Sequence, residues 1–214
     1  MKSLIIKDLY NIGHNAKSMI FSIAVFAFAF IPSGGSGFTY ACAALFCMMI
    51  VTTFAFDDNS KWTRYAMIMP VSKKELVAGK FIVLAIFCMI GSLLGLVIGS
   101  AGGIIIKKIP LNSDGIGEAL FSALAAWAIS LIFGSISIPF IFRFGAEKAR
   151  GILFVSFLIP TAVIFGIYKL LKAAGVVLTE QLVIVFICCL PVIALIWCWI
   201  MYRISYRIFD NQDL

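Results

Sequence analysis

Eight charged side chains fall between Asp57 and Lys80, in a chain of 214 residues that is otherwise 63% hydrophobic. Five are basic (Lys61, Arg64, Lys73, Lys74, Lys80) and three acidic (Asp57, Asp58, Glu75), with Trp62 and Tyr65 among them. Such a set offers salt bridges, helix caps and aromatic contacts, the chemistry of a surface gripped by another polypeptide. Covalent chemistry has no comparable candidate. His14 is the only histidine, too few for a His-based metal site. There is no phosphate loop of the form G-x-x-x-x-G-K-[ST], no H-E-x-x-H and no G-x-S-x-G. No carboxylate pair sits deep in an apolar run, where a proton relay or ion path would need one. Cys42, Cys47, Cys88, Cys188, Cys189 and Cys198 all fall inside apolar runs and read as small packing residues.

The elements that must hold this segment are membrane helices. Mean hydropathy is +1.09, and a span needs about 20 mostly apolar residues. Six runs qualify, at about 18–37, 38–56, 81–106, 119–142, 151–168 and 182–202. Barrel strands would alternate and be half as long, so the expected fold is an all-α integral membrane domain over 1–214. Basic residues orient it. With the N-terminus inside, Lys2, Lys7, Lys17, the five basic residues of 57–80, Arg143, Lys148, Arg150, Arg203 and Arg207 are cytoplasmic. Only Lys107, Lys108, Lys169 and Lys172 lie outside. The net charge of +7 therefore reads as topology in a bacterial plasma membrane, with both termini cytoplasmic, and implies no nucleic acid. The outer loops are short, with no room for a folded external domain.

At the N-terminus, Ile5, Leu9 and Ile12 repeat at helical spacing, while Lys2, Lys7, Asp8 and Asn11 fall largely elsewhere. That pattern predicts an amphipathic helix over 1–17 in the inner headgroup layer. The first apolar run is preceded by a long region containing Asp8 and lacks an Ala-x-Ala site, so we expect no signal cleavage.

The cytoplasmic segment 57–80 divides at Pro70. Asp58, Asn59 or Ser60 can cap a short helix reaching about Met69. Trp62, Tyr65 or Ala66, and Met69 share one side of it; Lys61 and Arg64 point away. Pro70 ends it, and Ser72-x-x-Glu75 starts the next helix with a capping box. That second helix is expected to run straight into the third span. A push on the short helix would then travel along a rod. A cytoplasmic tail, 203–214, follows the last span.

Gly91, Gly95, Gly99 and Gly103 recur every four residues in the third span, and Ser122, Ala126, Ser130 and Gly134 do so in the fourth. Small residues at this spacing let membrane helices approach closely. The two ladders are expected to face each other. Pro139, Pro160 and Pro191 are expected to kink later spans.

The opening MKSLIIKDLYN and the stretch FAFDDNSKWTRYAMIMPVSKKELVAGKF, Phe54 to Phe81, resemble the membrane subunit of a type-2 ABC exporter in its small six-span form. The resemblance implies cytosolic ATPase subunits in two copies, which hold ATP and Mg while this chain holds no cofactor. It also implies a second permease chain, identical or related. Asp58–Met69 would be the coupling helix, supported by Trp62 and Tyr65, with Asp57, Asp58, Lys61 and Arg64 making polar contacts. Arg143–Arg150, with Glu147, would be a lesser contact. The cargo would be an amphipathic peptide or lipid-like molecule moved outward. An alternative with the same span count is the substrate-capture component of an energy-coupling importer, or a peptide-immunity membrane protein.

Overall fold

The structure, a computed structural model, describes residues 2–14, 16–33, 35–68, 72–106, 113–145, 166, 169 and 180–211. The helices are α1 (Lys2–His14), α2 (Ala16–Phe30), α3 (Ser36–Asn59), α4 (Trp62–Ile68), α5 (Lys73–Ile105), α6 (Ser113–Phe144) and α7 (Glu180–Asp210), with a 3-10 turn at Ile31–Ser33. No strand occurs among the described residues. α3, α5, α6 and α7 are long and apolar enough to cross a membrane. A fifth crossing is counted if α1 and α2, bent by 66° from each other, are taken together. The expected runs at 38–56, 81–106, 119–142 and 182–202 thus each lie within one long helix. The run at 18–37 is broken: α2 ends at Phe30, and the turn containing Pro32 precedes α3. The run at 151–168 lies outside the described residues.

α5 decides how the bundle packs. Its 33 residues extend about 50 Å at 1.5 Å per residue, well beyond a hydrocarbon core of about 30 Å. Its charged first turns therefore project past the apolar layer. Ser72 and Glu75 form the expected capping box: the Ser72 hydroxyl accepts from the Glu75 N–H at 3.2 Å, and the Glu75 carboxylate accepts from the Ser72 N–H at 3.2 Å.

Within the bilayer, the α5 glycines lie against α3. A Cβ on Gly91 would sit 3.1 Å from Ala43 Cα. One on Gly95 would sit 2.8 Å from Thr39 Cα, and one on Gly99 would meet the Gly35 carbonyl at 2.7 Å. The partners step back by four as the glycines step forward by four, which is the register of two antiparallel helices in backbone contact. This corrects the expected pairing of ladders. The α5 glycines face α3, where Gly35, Thr39, Ala43 and Cys47 form a small-residue row of their own. On α6, Ser130 and Gly134 pack against α3, and Gly134 against α5 as well. A Cβ on Gly134 would meet Leu84 Cδ1 at 2.5 Å and Cys47 Sγ at 2.6 Å, and the Cys47 thiol donates to the Ser130 carbonyl at 3.2 Å. Gly134 thus makes room for a leucine of α5 and for Cys47 of the α3 row. Ser130 satisfies its own hydroxyl on the Ala126 carbonyl at 2.7 Å, so the row stays compact in lipid.

A leucine at Gly95 is expected to lower stability by about 1–3 kcal/mol or more, because the obstacle is α3 backbone. Gly117 has nothing within 4 Å of an added Cβ, so Gly117→Ala should be neutral or raise stability by up to about 1 kcal/mol. Thermal unfolding of both variants in detergent checks the contrast.

Candidate functional site

The last turns of α3, α6 and α7 and the first turns of α5 meet at one end of the bundle. Aromatic rings mark the junction. Phe142 of α6 lies edge-on to Phe54 of α3 at 5.1 Å and tilted against Phe209 of α7 at 4.9 Å. Phe81 of α5 meets Tyr202 of α7 edge-on at 5.8 Å. Lys73 reaches across to donate to the Asp210 carbonyl at 3.0 Å. α6 and α7 therefore both end at this face, together with most of the basic residues described.

A buried charge cluster ties α1 to this junction. Lys80 of α5, only 5% exposed, donates to Asp57 Oδ2 at 2.6 Å and to Asp8 Oδ2 at 2.9 Å. The Thr53 hydroxyl lies 3.4 Å from the same ammonium, and the Phe54 ring 4.7 Å beneath it. Lys7 of α1 donates to the other oxygen of Asp57 and stands 3.3 Å from Asp8 Oδ1. Its ammonium also lies 4.6 Å over the ring of Trp62, the first residue of α4. Two lysines and two aspartates from α1, α3 and α5 thus neutralise one another, and Lys7 extends the network to α4.

The local sequence explains each placement. Ile5, Leu9 and Ile12 turn α1 toward the core, and that rotation carries Asp8 inward with them; Asp8 is 3% exposed. The expectation that Asp8 lies off the apolar stripe is corrected here, because the face that packs contains one acidic position matched to Lys80. Asp57 is likewise 5% exposed, since α3 continues to Asn59 rather than stopping where the apolar run ends. The chain then reverses at Ser60 and Lys61, whose φ of 51° lies in the left-handed region. That conformation is uncommon for a side chain with a Cβ.

Taking ions out of water costs several kcal/mol each, so removing one partner of a buried pair costs about 3–5 kcal/mol. Lys80→Met, which leaves two aspartates facing Lys7 alone, is expected to lose about that much. The double change Lys80→Met with Asp57→Leu restores charge balance and should recover part of the loss. A double-mutant cycle on thermal midpoints reads the coupling.

The remaining residues singled out in the sequence are distributed as follows. Asp58 is exposed in the last turn of α3 and Lys61 in the turn that follows, so the short helix expected from Asp58 starts instead at Trp62, because α3 runs on through Asp58 and Asn59. Asp58 approaches Gly145 at the end of α6, where a Cβ would lie 3.9 Å from its Oδ2. On α4, Trp62 is half-buried and Ala66 buried, while Tyr65 turns outward at 59% exposed and Ile68 at 83%. Arg64 lies in α4. Arg143 is exposed in the last turn of α6. Met69, Glu147 and Arg150 lie outside the described residues. Lys7, Asp8 and Lys80 were not among the expected site residues. A signal for them exists: Asp57 closes one apolar run and Lys80 opens the next, so antiparallel packing brings opposite charges level. Among the described residues, no group of His, Cys, Asp and Glu side chains could hold a metal ion.

The model of the family described as ABC-2 family transporter protein matches residues 3–210, from α1 to the end of α7. The chain belongs to this family. No curated protein and no solved structure matches it. As an ABC-2 protein it is a multi-pass membrane subunit of an ABC transporter. The match takes in α1 as well as the long helices, so the helix that supplies Lys7 and Asp8 is part of the family unit and not an appendage.

Proposed function

We propose that this ABC-2 subunit is a permease that moves an amphipathic peptide or lipid-like substrate out of the cell, driven by two copies of a separate ATPase that bind ATP and Mg. A second permease chain, identical or related, completes the pathway. α4 is the coupling helix in this reading. The single observation that carries it is the reversal at Lys61. After it, α4 lies against the bundle through Trp62 and Ala66 and leaves Tyr65 and Ile68 exposed on its outer side. Asp58, Lys61 and Arg143 are exposed nearby and supply the polar rim. Aromatic and aliphatic anchors inside a charged rim are the ordinary anatomy of a protein interface.

Asp57 has a different role from its neighbour. Its carboxylate is committed to Lys80 and Lys7, so it holds the support of α4 and does not touch the motor. A displacement of α4 reaches α5 by two routes: through the chain into its capped N-terminus, and through Trp62, Lys7, Asp57 and Lys80. α5 then carries it across the membrane, since its glycines hold it against α3 and force the two to move together. The apolar character of the helices and the short outer connections support a substrate that travels within or along the bilayer.

The reading is tested by co-purification. Ile68→Asp alters an exposed position, so it should leave the thermal midpoint nearly unchanged; Asp58→Arg reverses a charge at the end of α3, and its midpoint is measured alongside capture. Each is expected to weaken capture of the partner ATPase by about tenfold or more. Undiminished capture with both changes present would overturn the docking assignment. Export is checked separately, by vanadate-sensitive ATP hydrolysis stimulated by amphipathic peptides in reconstituted vesicles.

A further inference from the structure

Three exposed cations gather where the first turn of α5 meets the last two turns of α7: Lys74, Arg203 and Arg207. The Lys74 ammonium lies 5.6 Å from the ring centre of Tyr206. Arg203 and Arg207 stand one turn apart on the exposed face of α7 and flank that tyrosine in sequence. The Arg203 guanidinium lies 4.7 Å over the ring of Trp199.

We propose that these cations hold the phosphate of an anionic phospholipid, of the phosphatidylglycerol kind, with its acyl chains along the furrow between α5 and α7. Charge is the first reason. Among the described residues, none of the three forms an ion pair. The carboxylates closest in sequence are already engaged. Glu75 accepts from the Ser72 N–H at 3.2 Å, and Asp210 pairs with Lys73 at 3.8 Å. The positive charge here is thus left uncompensated by the protein, in contrast to the self-neutralised cluster around Lys80.

The second reason is the form of the donors. An arginine stacked on an aromatic ring keeps its edge N–H groups for a partner in the guanidinium plane, and that fork matches two phosphate oxygens. Lys74 adds a third donor from a different helix, so the site depends on how α5 and α7 pack.

The third reason separates a lipid from a soluble phosphate. Below the cations the surface turns apolar on both helices. On α7, Trp199, Ile196 and Val192 follow Arg203 toward the bilayer at helical spacing, each more than half exposed. On α5, Ile82 and Met89 continue the side of Lys74 and are also exposed. Phe81 meets Tyr202 edge-on at 5.8 Å, which closes the floor between the two helices. Tryptophan one turn deeper than arginine is the order found at the headgroup level of a membrane. Basic groups at the ends of spanning helices suit anionic headgroups there. The proposal holds whatever the direction and cargo of transport.

The purified full-length protein is equilibrated with an equimolar mixture of phosphatidylglycerol, phosphatidylethanolamine and phosphatidylcholine, and retained lipid is read by native mass spectrometry. Phosphatidylglycerol is expected to exceed each zwitterionic lipid by about tenfold, the worth of one charge-assisted hydrogen bond. Arg203→Gln with Arg207→Gln should bring the three lipids to near parity, and Lys74→Gln alone should reduce the preference. Lys2→Gln with Lys17→Gln removes the same charge from exposed positions on α1 and α2 and should leave it intact. Equal retention of all three lipids by the wild-type protein would overturn the proposal. So would an arginine double variant that unfolds at the wild-type temperature and keeps the preference, or a control pair that loses it equally. A wild-type particle with the mass of two chains and no retained lipid would assign this face to a second copy and overturn it too.

Discussion

Three glycines of α5 lie directly on the backbone of α3, and the arrangement at the charged end of the bundle follows from the register this contact fixes. Gly99 meets Gly35, Gly95 meets Thr39 and Gly91 meets Ala43. Continued along both helices by the same steps of four, that register brings Lys80 level with Thr53, Phe54 and Asp57, which are its neighbours. A one-turn slip would move Lys80 about 5.4 Å along α3 and separate the charges. The apolar contact therefore sets the geometry, and the ionic contact penalises every other geometry.

The two kinds of interaction do different work. In lipid, helices gain little from hiding apolar side chains, because the hydrocarbon outside is equally apolar. Close backbone contact and interhelical polar bonds remain, and both occur here. The glycine contact supplies van der Waals attraction along several turns. The lysine–aspartate cluster supplies specificity where the helices leave the apolar layer. It also ties in α1, whose Ile5, Leu9 and Ile12 pack on the core. Because Lys7 reaches Trp62 as well, the support of α4 and the packing of α5 share one ionic network.

The sequence made much of this visible. Hydropathy located the four long helices because an apolar run of that length has few alternatives. Ser72 and Glu75 announced the start of α5 because a capping box is a local device that needs only four residues. Helical spacing grouped Trp62 with Tyr65 or Ala66, and only packing decided between the two: Ala66 is buried and Tyr65 exposed. The pairing of the ladders was not visible. A small-residue row states that something approaches closely, not which helix does so. α6 is adjacent to α5 in sequence, but so is α3, and α3 also carries a row at the same spacing. The burial of Asp8 and Asp57 was hidden for a related reason. A charge at the end of an apolar run looks solvated until its partner, more than twenty residues away, is known.

The chain by itself determined that the protein crosses a membrane, that one of its two faces is the basic one, and where α5 is capped. These depend on properties that each residue or its near neighbours possess: hydropathy, charge and capping ability. Only the tertiary structure decided which helices touch and which charges are buried. Those outcomes belong to pairs such as Lys80 with Asp8 and Gly95 with Thr39, distant along the chain, whose approach depends on every intervening helix packing in one register.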